Sequence, residues 1–348
     1  MTLFEVTQYD REIYERKIKN YLPENIIDIH THVYQKYDSK ILGDQSRTVS
    51  WPNKVAQENP VEDIIKTYEL MFPDKNVVPL MFMDAKKADQ AFRDQGNAYC
   101  RHVSEETGFP ALYFSHPIEE PEELEQKVIS GGFLGLKSYL NLAPDYLPVN
   151  EIRVFDFFPK SQLAVADKNK WIIMLHIPRD GRLGDEVNLA QIQEIAAEFP
   201  NLKLIIAHVG RAYCPENIGN GMKVLSELPN VYVDFCANCN QYVFEELIKA
   251  VGPKRILFGS DLPILRMRTR RICENGTYIN LVPPGLYGDE SVDPHLREVS
   301  EQEAEKITFF LYEEIIAFLE ASRQVGLNNE DIERIFYGNA KELLDSFK

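Results

Sequence analysis

The stretch Ile26-Ile27-Asp28-Ile29-His30-Thr31-His32-Val33 decides the fold. It predicts a short buried strand that ends in two histidines. Successive strand side chains point to opposite faces, so His30 and His32 share one face, roughly 7 Å apart along the strand. Two imidazoles on one face can hold a single divalent cation at about 2 Å each. A His-x-His pair says little alone. Its weight comes from three later apolar runs that also end in metal-ligand residues: 171–175 leads into His176, 204–207 into His208, and 255–260 into Asp261.

Working outward, apolar runs bounded by turn residues predict eight strands, at 26–33, 76–83, 111–116, 132–140, 171–177, 202–209, 231–236 and 255–261. Amphipathic stretches lie between them, clearest at 61–72, 88–106, 121–129, 151–168, 186–198, 215–228 and 242–251. The strands are nearly continuous in apolar residues, so both faces are covered, as in a parallel sheet flanked by helices. Eight βα units in succession predict an α/β fold, a (β/α)8 TIM barrel, as one domain over residues 1–348. A doubly wound open sheet would carry a Gly-rich first turn, and His-Thr-His stands there instead. Long loops follow strand one (34–60) and strand eight (262–300), and further helices (301–321 and 329–348) close the chain. Both loops fall at the C-terminal mouth, where barrels build their sites.

The chain has 348 residues, 44% of them hydrophobic, enough for one large core. Its 38 basic and 54 acidic residues leave a net charge of -16, which excludes a general nucleic-acid or anionic-membrane surface. The first residues lack a basic segment followed by an apolar one, and no apolar run reaches the ~18 residues of a membrane span. Five scattered cysteines suggest reduced thiols and a cytoplasmic protein. Cys236-Ala237-Asn238-Cys239 has no second half for a zinc site and is read as packing thiols.

In a parallel barrel every strand end points to the same mouth, so His30, His32, His176, His208 and Asp261 surround one small volume. Neutral imidazoles and a carboxylate suit Zn²⁺, and Mn²⁺ or Fe²⁺ fit the same ligand types. An open position would take a water whose pKa the metal lowers towards ~7. Asp261 would serve as ligand and proton acceptor. His208, with an ordinary pKa near neutrality, would polarise a substrate oxygen or shuttle a proton.

With these residues in view, the chain resembles the amidohydrolase superfamily, in its amidohydrolase-related group that includes aminocarboxymuconate semialdehyde decarboxylase. The matching pieces are Asp28-Ile29-His30-Thr31-His32, Leu175-His176, Ala207-His208-Val209-Gly210-Arg211 and Phe258-Gly259-Ser260-Asp261-Leu262-Pro263. The resemblance implies one metal held by His30, His32, His176 and Asp261, with His208 acting on the substrate. Lys137 ends strand four. The wider superfamily has binuclear members in which a carboxylated lysine at this place bridges two ions; the mononuclear reading, with Lys137 binding a substrate oxygen, is preferred. Arg266 and Arg268, in Leu265-Arg266-Met267-Arg268-Thr269-Arg270-Arg271, offer guanidinium forks for a carboxylate, and His116 at the end of strand three is a further substrate contact.

The expected activity is metal-dependent hydrolysis of an amide, ester or lactone in a small anionic molecule. Non-oxidative decarboxylation on the same fold is the alternative, and the first shell does not separate them. A degenerate barrel used only for binding would have lost a ligand, and every expected ligand is present. Expected partners are a small carboxylate-bearing substrate and, compatibly, further copies of the chain.

Overall fold

The computed structural model describes residues 3–37, 47, 52–84, 89–288 and 293–347. Its strands are β1 (Asn25–His32), β2 (Asn76–Phe82), β3 (Tyr113–Phe114), β4 (Gly135–Lys137), β5 (Ile172–Leu175), β6 (Lys203–Ile206), β7 (Val231–Asp234) and β8 (Ile256–Leu257). β1 pairs with β2, and β3 to β8 pair in sequence order, all parallel. Single parallel bridges join the two sheets at both edges, Met81 to Ala111 and Thr31 to Leu262. Backbone hydrogen bonds complete them: Leu112 N–H to Met81 O (2.8 Å), Ile29 N–H to Phe258 O (2.9 Å) and Asp261 N–H to His30 O (2.8 Å). The ring is closed, and the fold is a TIM barrel.

The barrel interior holds Ile27, Ile29, Leu80, Phe82, Leu112, Ile172, Met174, Ile205 and Leu257. A second, larger core lies between the strands and the surrounding helices. Those helices are α1 (Gln8–Ile13), α2 (Val61–Met71), α3 (Gln90–Thr107), α4 (Pro121–Ser130), α5 (Lys160–Lys168), α6 (Glu186–Glu198), α7 (Gly221–Ser226), α8 (Gln241–Val251), α9 (Phe310–Val325) and α10 (Asn339–Asp345), apart from shorter turns. Local chemistry starts several of them. Asp185 accepts from the N–H groups of Val187 and Asn188 at the start of α6, and Asn240 accepts from Val243 N–H at the start of α8. α9 closes the structure through Phe318, which stacks on Phe235 with ring centroids 4.0 Å apart. Each such buried phenylalanine contributes about 2–3 kcal/mol by area. Gly135 is required by close approach: a Cβ there would meet the Ile172 carbonyl oxygen at 2.0 Å.

Three differences from the sequence reading matter. The ladders are shorter than the apolar runs, so His176, His208 and Asp261 lie just beyond β5, β6 and β8 rather than within them. The segment after β8 contains a hairpin, β9 (Arg270–Glu274) and β10 (Thr277–Val282), with β11 (Leu296–Glu298) added parallel to β10. And Cys214 and Cys273 form a disulfide tying that hairpin to the segment after β6, so the expectation of five reduced thiols is corrected; Cys100, Cys236 and Cys239 are free. Parts of the expected loops, 38–46, 48–51 and 289–292, and the first residue of the 88–106 stretch lie outside the described residues. Among the described residues no helix is long and apolar enough to cross a membrane.

Candidate metal centre

β1 carries the centre. A register irregularity falls between Asp28 and Thr31, and across it the side chains part. Asp28 turns to Tyr68 Oη (2.8 Å), Ser260 N–H (2.8 Å) and Ser260 Oγ, whereas His30 turns to Asp234 and His208. Asp28 thereby ties β1 to the segment that presents Asp261. That segment turns sharply, with Asp261 at φ +51.

His30, His32 and Asp261 offer three ligand atoms within 4.8 Å of one another, all from the C-terminal end of the barrel. Asp261 Oδ1 is 3.3 Å from His32 Nε2 and 3.5 Å from His30 Nε2. His32 Nδ1 lies 3.2 Å from Met83 O, so its Nε2 faces the carboxylate. The rings of His30 and His208 are 4.8 Å apart, and His208 meets His176 edge-on at 5.3 Å. His176 stands outside the 4.8 Å group. It rests on the Tyr139 ring at 4.6 Å, and its buried Nδ1 has no hydrogen-bond partner. A buried imidazole nitrogen without a partner costs about 1–3 kcal/mol, which a ligand would remove.

Electrostatics divide the roles. Burial pushes the Asp261 carboxyl up, but the His32 hydrogen bond and the surrounding imidazoles outweigh it and hold it at about 2. Burial lowers His208 to about 4 against the opposing charge of Asp261. His176 is lowered well below the usual range by burial, then by the charge of Arg211. At neutral pH these groups are a carboxylate and neutral imidazoles, the forms that bind a metal. The neutral state of His208 corrects the expectation of titration near neutrality.

Lys137 is only 1% exposed, its ammonium 5.3 Å over the Phe82 ring, and burial lowers it to about 8 while the charges of Asp261 and Asp234 resist. It has no carboxylate within ion-pair distance among the described residues. The other expected contacts are placed elsewhere. Arg266 donates to Asn59 Oδ1 (2.6 Å), and Asn59 donates to His32 O (2.7 Å), so Arg266 braces β1 at one remove. Arg268 is not brought to the centre: it binds Asp10 of α1 (2.6 Å) and lies over the Phe309 ring. Its neighbours Arg270 and Arg271 also bind protein groups, Lys306 O and Ala237 O respectively. His116 is half-buried two residues beyond β3, where its Nδ1 accepts from Ile118 N–H (3.2 Å).

Two further residues stand at the centre: Asp234, which escaped the sequence reading, and Cys236, expected there as a packing thiol. Asp234, the last residue of β7, accepts from His30 Nδ1 at 2.9 Å and from His208 N–H at 2.7 Å. Cys236 places its sulfur 3.0 Å from both His208 Nδ1 and Asp234 Oδ1. The available signal was the one that found Asp261, an acid closing an apolar strand run.

Residues 27–345 match the family model described as amidohydrolase. None of the curated proteins compared with the chain matches it. Among solved structures, a zinc-bound amidohydrolase from Burkholderia multivorans aligns with a TM-score of 0.59 at 12% identity, covering 92% of this chain and 99% of its own. The 2,6-dihydroxybenzoate decarboxylase from Rhizobium aligns at 0.56 and 14% identity, covering 94% and 100%. A probable 2-pyrone-4,6-dicarboxylic acid hydrolase from Acinetobacter baumannii, solved with citric acid bound, aligns at 0.57 and 14% identity, covering 92% and 99%. At these identities the likeness is one of fold. With the family model spanning nearly the whole barrel, the chain belongs to the amidohydrolase family.

Proposed function

We propose that this chain is a metal-dependent hydrolase that opens an amide, ester or lactone bond in a small, carboxylate-bearing molecule. The observation that carries the reading is the convergence of His30, His32 and Asp261 ligand atoms within 4.8 Å, with His208 alongside. Two imidazoles, one ionised carboxylate and the partnerless nitrogen of His176 fit a single Zn²⁺, or Mn²⁺ or Fe²⁺ by ligand type. When bound, the ion supplies a Lewis acid and lowers the pKa of a water towards ~7.

The chain's own residues do the rest. Asp261, ionised across the working range, accepts a proton from the attacking water. His208, neutral above about 4, accepts or relays one at the substrate. Lys137, protonated below about 8 and without a carboxylate, provides the positive charge for a substrate oxygen. The two solved relatives with named small acids share the fold, and a carboxylate-bearing substrate is in keeping with them.

One observation favours decarboxylation instead: protonated Lys137 faces the same centre and could deliver a proton to carbon. Zinc-loaded protein incubated with lactones, amides and aromatic acids separates the two. Hydrolysis products without CO₂ are expected, and CO₂ release from a carboxylic acid would overturn hydrolysis in favour of decarboxylation.

A further inference from the structure

Asp234 and Cys236 form a second polar group with His30 and His208, also within 4.8 Å and fully buried. It has the composition of a metal site but not the spacing. Two ligands on a tetrahedral zinc, at about 2.0 and 2.3 Å, stand about 3.5 Å apart. Here Cys236 Sγ is 3.0 Å from His208 Nδ1 and 3.0 Å from Asp234 Oδ1. Those are hydrogen-bond lengths, so the group is a network.

Its proton directions follow from donor and acceptor counting. Asp234 Oδ1 lies within reach of His208 N–H (2.7 Å), Cys236 N–H (3.3 Å) and Cys236 Sγ (3.0 Å), and Oδ2 within reach of His30 Nδ1 (2.9 Å). A carboxylate surrounded by donors only accepts, so His30 carries its proton on Nδ1 and the Cys236 thiol spends its proton on Asp234. The sulfur then has only lone pairs to offer His208 Nδ1. The Cys236 carbonyl, 3.3 Å from the same nitrogen, is likewise an acceptor. His208 must donate to both, which leaves its Nε2 bare.

We propose that Asp234 is the positioning residue of this centre. It fixes His30 as the Nδ1–H tautomer with Nε2 turned to Asp261, and through Cys236 it fixes His208 as the Nδ1–H tautomer with Nε2 free as an acceptor. Outer partners of this kind orient ligand imidazoles and raise their basicity. The inference rests on His30 being a ligand and His208 facing substrate, but its test does not need activity.

Metal-free protein labelled with ¹⁵N-histidine reports each tautomer by long-range ¹H–¹⁵N correlation, with His30→Gln and His208→Gln assigning the signals. The expected wild-type spectrum shows Nδ1–H at both. In Asp234→Asn the single amide oxygen is claimed by the backbone N–H groups of His208 and Cys236, so the amide NH₂ faces His30. His30 should then switch to Nε2–H, and zinc affinity in a chelator competition should fall about 10–100-fold. Cys236→Ala should leave His30 and zinc affinity unchanged while His208 shows both tautomers, and Cys236→Ser should restore Nδ1–H. An Nε2–H signal at either histidine in the wild type overturns the proposal without any variant. So does Asp234→Asn with an unchanged His30 tautomer and unchanged zinc affinity. If Asp234→Asn does not fold, the wild-type spectrum and the two Cys236 variants decide. Failure of the wild type to bind zinc overturns the proposed function, and the tautomers still decide this inference.

Discussion

Replacing Lys137 with methionine should stabilise the metal-free protein at pH 7 while impairing the loaded enzyme. The ammonium is 1% exposed and its pKa falls from 10.5 to about 8, chiefly by burial. At about 1.4 kcal/mol per unit, that difference of about 2.5 units means the charged lysine costs the folded state about 3 kcal/mol. Contact with the Phe82 and Tyr139 rings, at 5.3 and 6.0 Å, returns about 1 kcal/mol that methionine would lose. The net expectation is a gain of about 2 kcal/mol, since methionine keeps the volume. The sign with pH follows from a depressed lysine. Below about 8 both states hold the proton and the full penalty applies. Between about 8 and 10.5 only the unfolded chain holds it, so wild-type stability relative to the variant recovers as pH rises. Urea unfolding of both proteins at pH 7 and pH 10 measures this, and the gap should shrink to under about 1 kcal/mol at the higher pH. A variant less stable than wild type at pH 7, or a gap that ignores pH, would refute the reasoning.

Three further outcomes are expected. His176→Ala should lower zinc per chain together with activity, because three remaining ligands hold the ion less well; full occupancy and rate would remove His176 from the ligand set. His208→Ala should keep its zinc and lose about 10²–10⁴ in rate. The wild-type acid limb should sit near pH 4, where this imidazole takes up its proton, and vanish in the variant; stoichiometric metal loss would make His208 a ligand. Reducing the Cys214–Cys273 disulfide, which spans 59 residues, should cost about 4 kcal/mol by chain entropy. Thiol titration of denatured, unreduced protein should find three thiols, and five would rule the bridge out.

The barrel was legible because its strands are buried on both faces. Ile172-Ile173-Met174-Leu175 and Leu204-Ile205-Ile206 read as continuous apolar runs, and a polar residue ending such a run stands out. The runs overshoot the ladders because flanking apolar residues such as Ile177 and Val209 pack without pairing. The hairpin after β8 was hidden by its arginines, although Asn275-Gly276, at φ +51 and +74, is a strong two-residue turn signal. Arg266 and Arg268 read as substrate forks, but Asn59 engages the first, and Asp10 and the Phe309 ring engage the second. Pairings across such distances leave no trace in local spacing, and the same holds for Cys214 with Cys273. Asp234 was different. It carries the signal that marks Asp261, an acid closing an apolar run, but the expected strand 231–236 continues through Phe235 to Cys236 and leaves it inside the run.

Backbone strain follows the same geography. Among the described residues eight non-glycine positions have positive φ, and five of them lie in the turns directly after β6, β7 and β8: His208, Val209, Arg211, Ala237 and Asp261. Val209, at φ +51, is the most telling, because a β-branched side chain is rarely left-handed. Glycine there would relieve about 1–2 kcal/mol of backbone strain. Yet Val209 is fully buried in the outer core, and losing its side chain would forfeit about 1.5–3 kcal/mol of burial, with a cavity penalty added. Packing therefore wins, and valine holds the turn. The strained neighbours are pinned from outside the turn: His208 N–H by Asp234, Ala237 O by Arg271, and Asp261 N–H by His30 O. Each pin belongs to a different strand end or to the hairpin. The left-handed turns after β6, β7 and β8 are thus held by the same cross-barrel contacts that aim His208 and Asp261 at His30, which places the stored strain at the centre rather than in the scaffold.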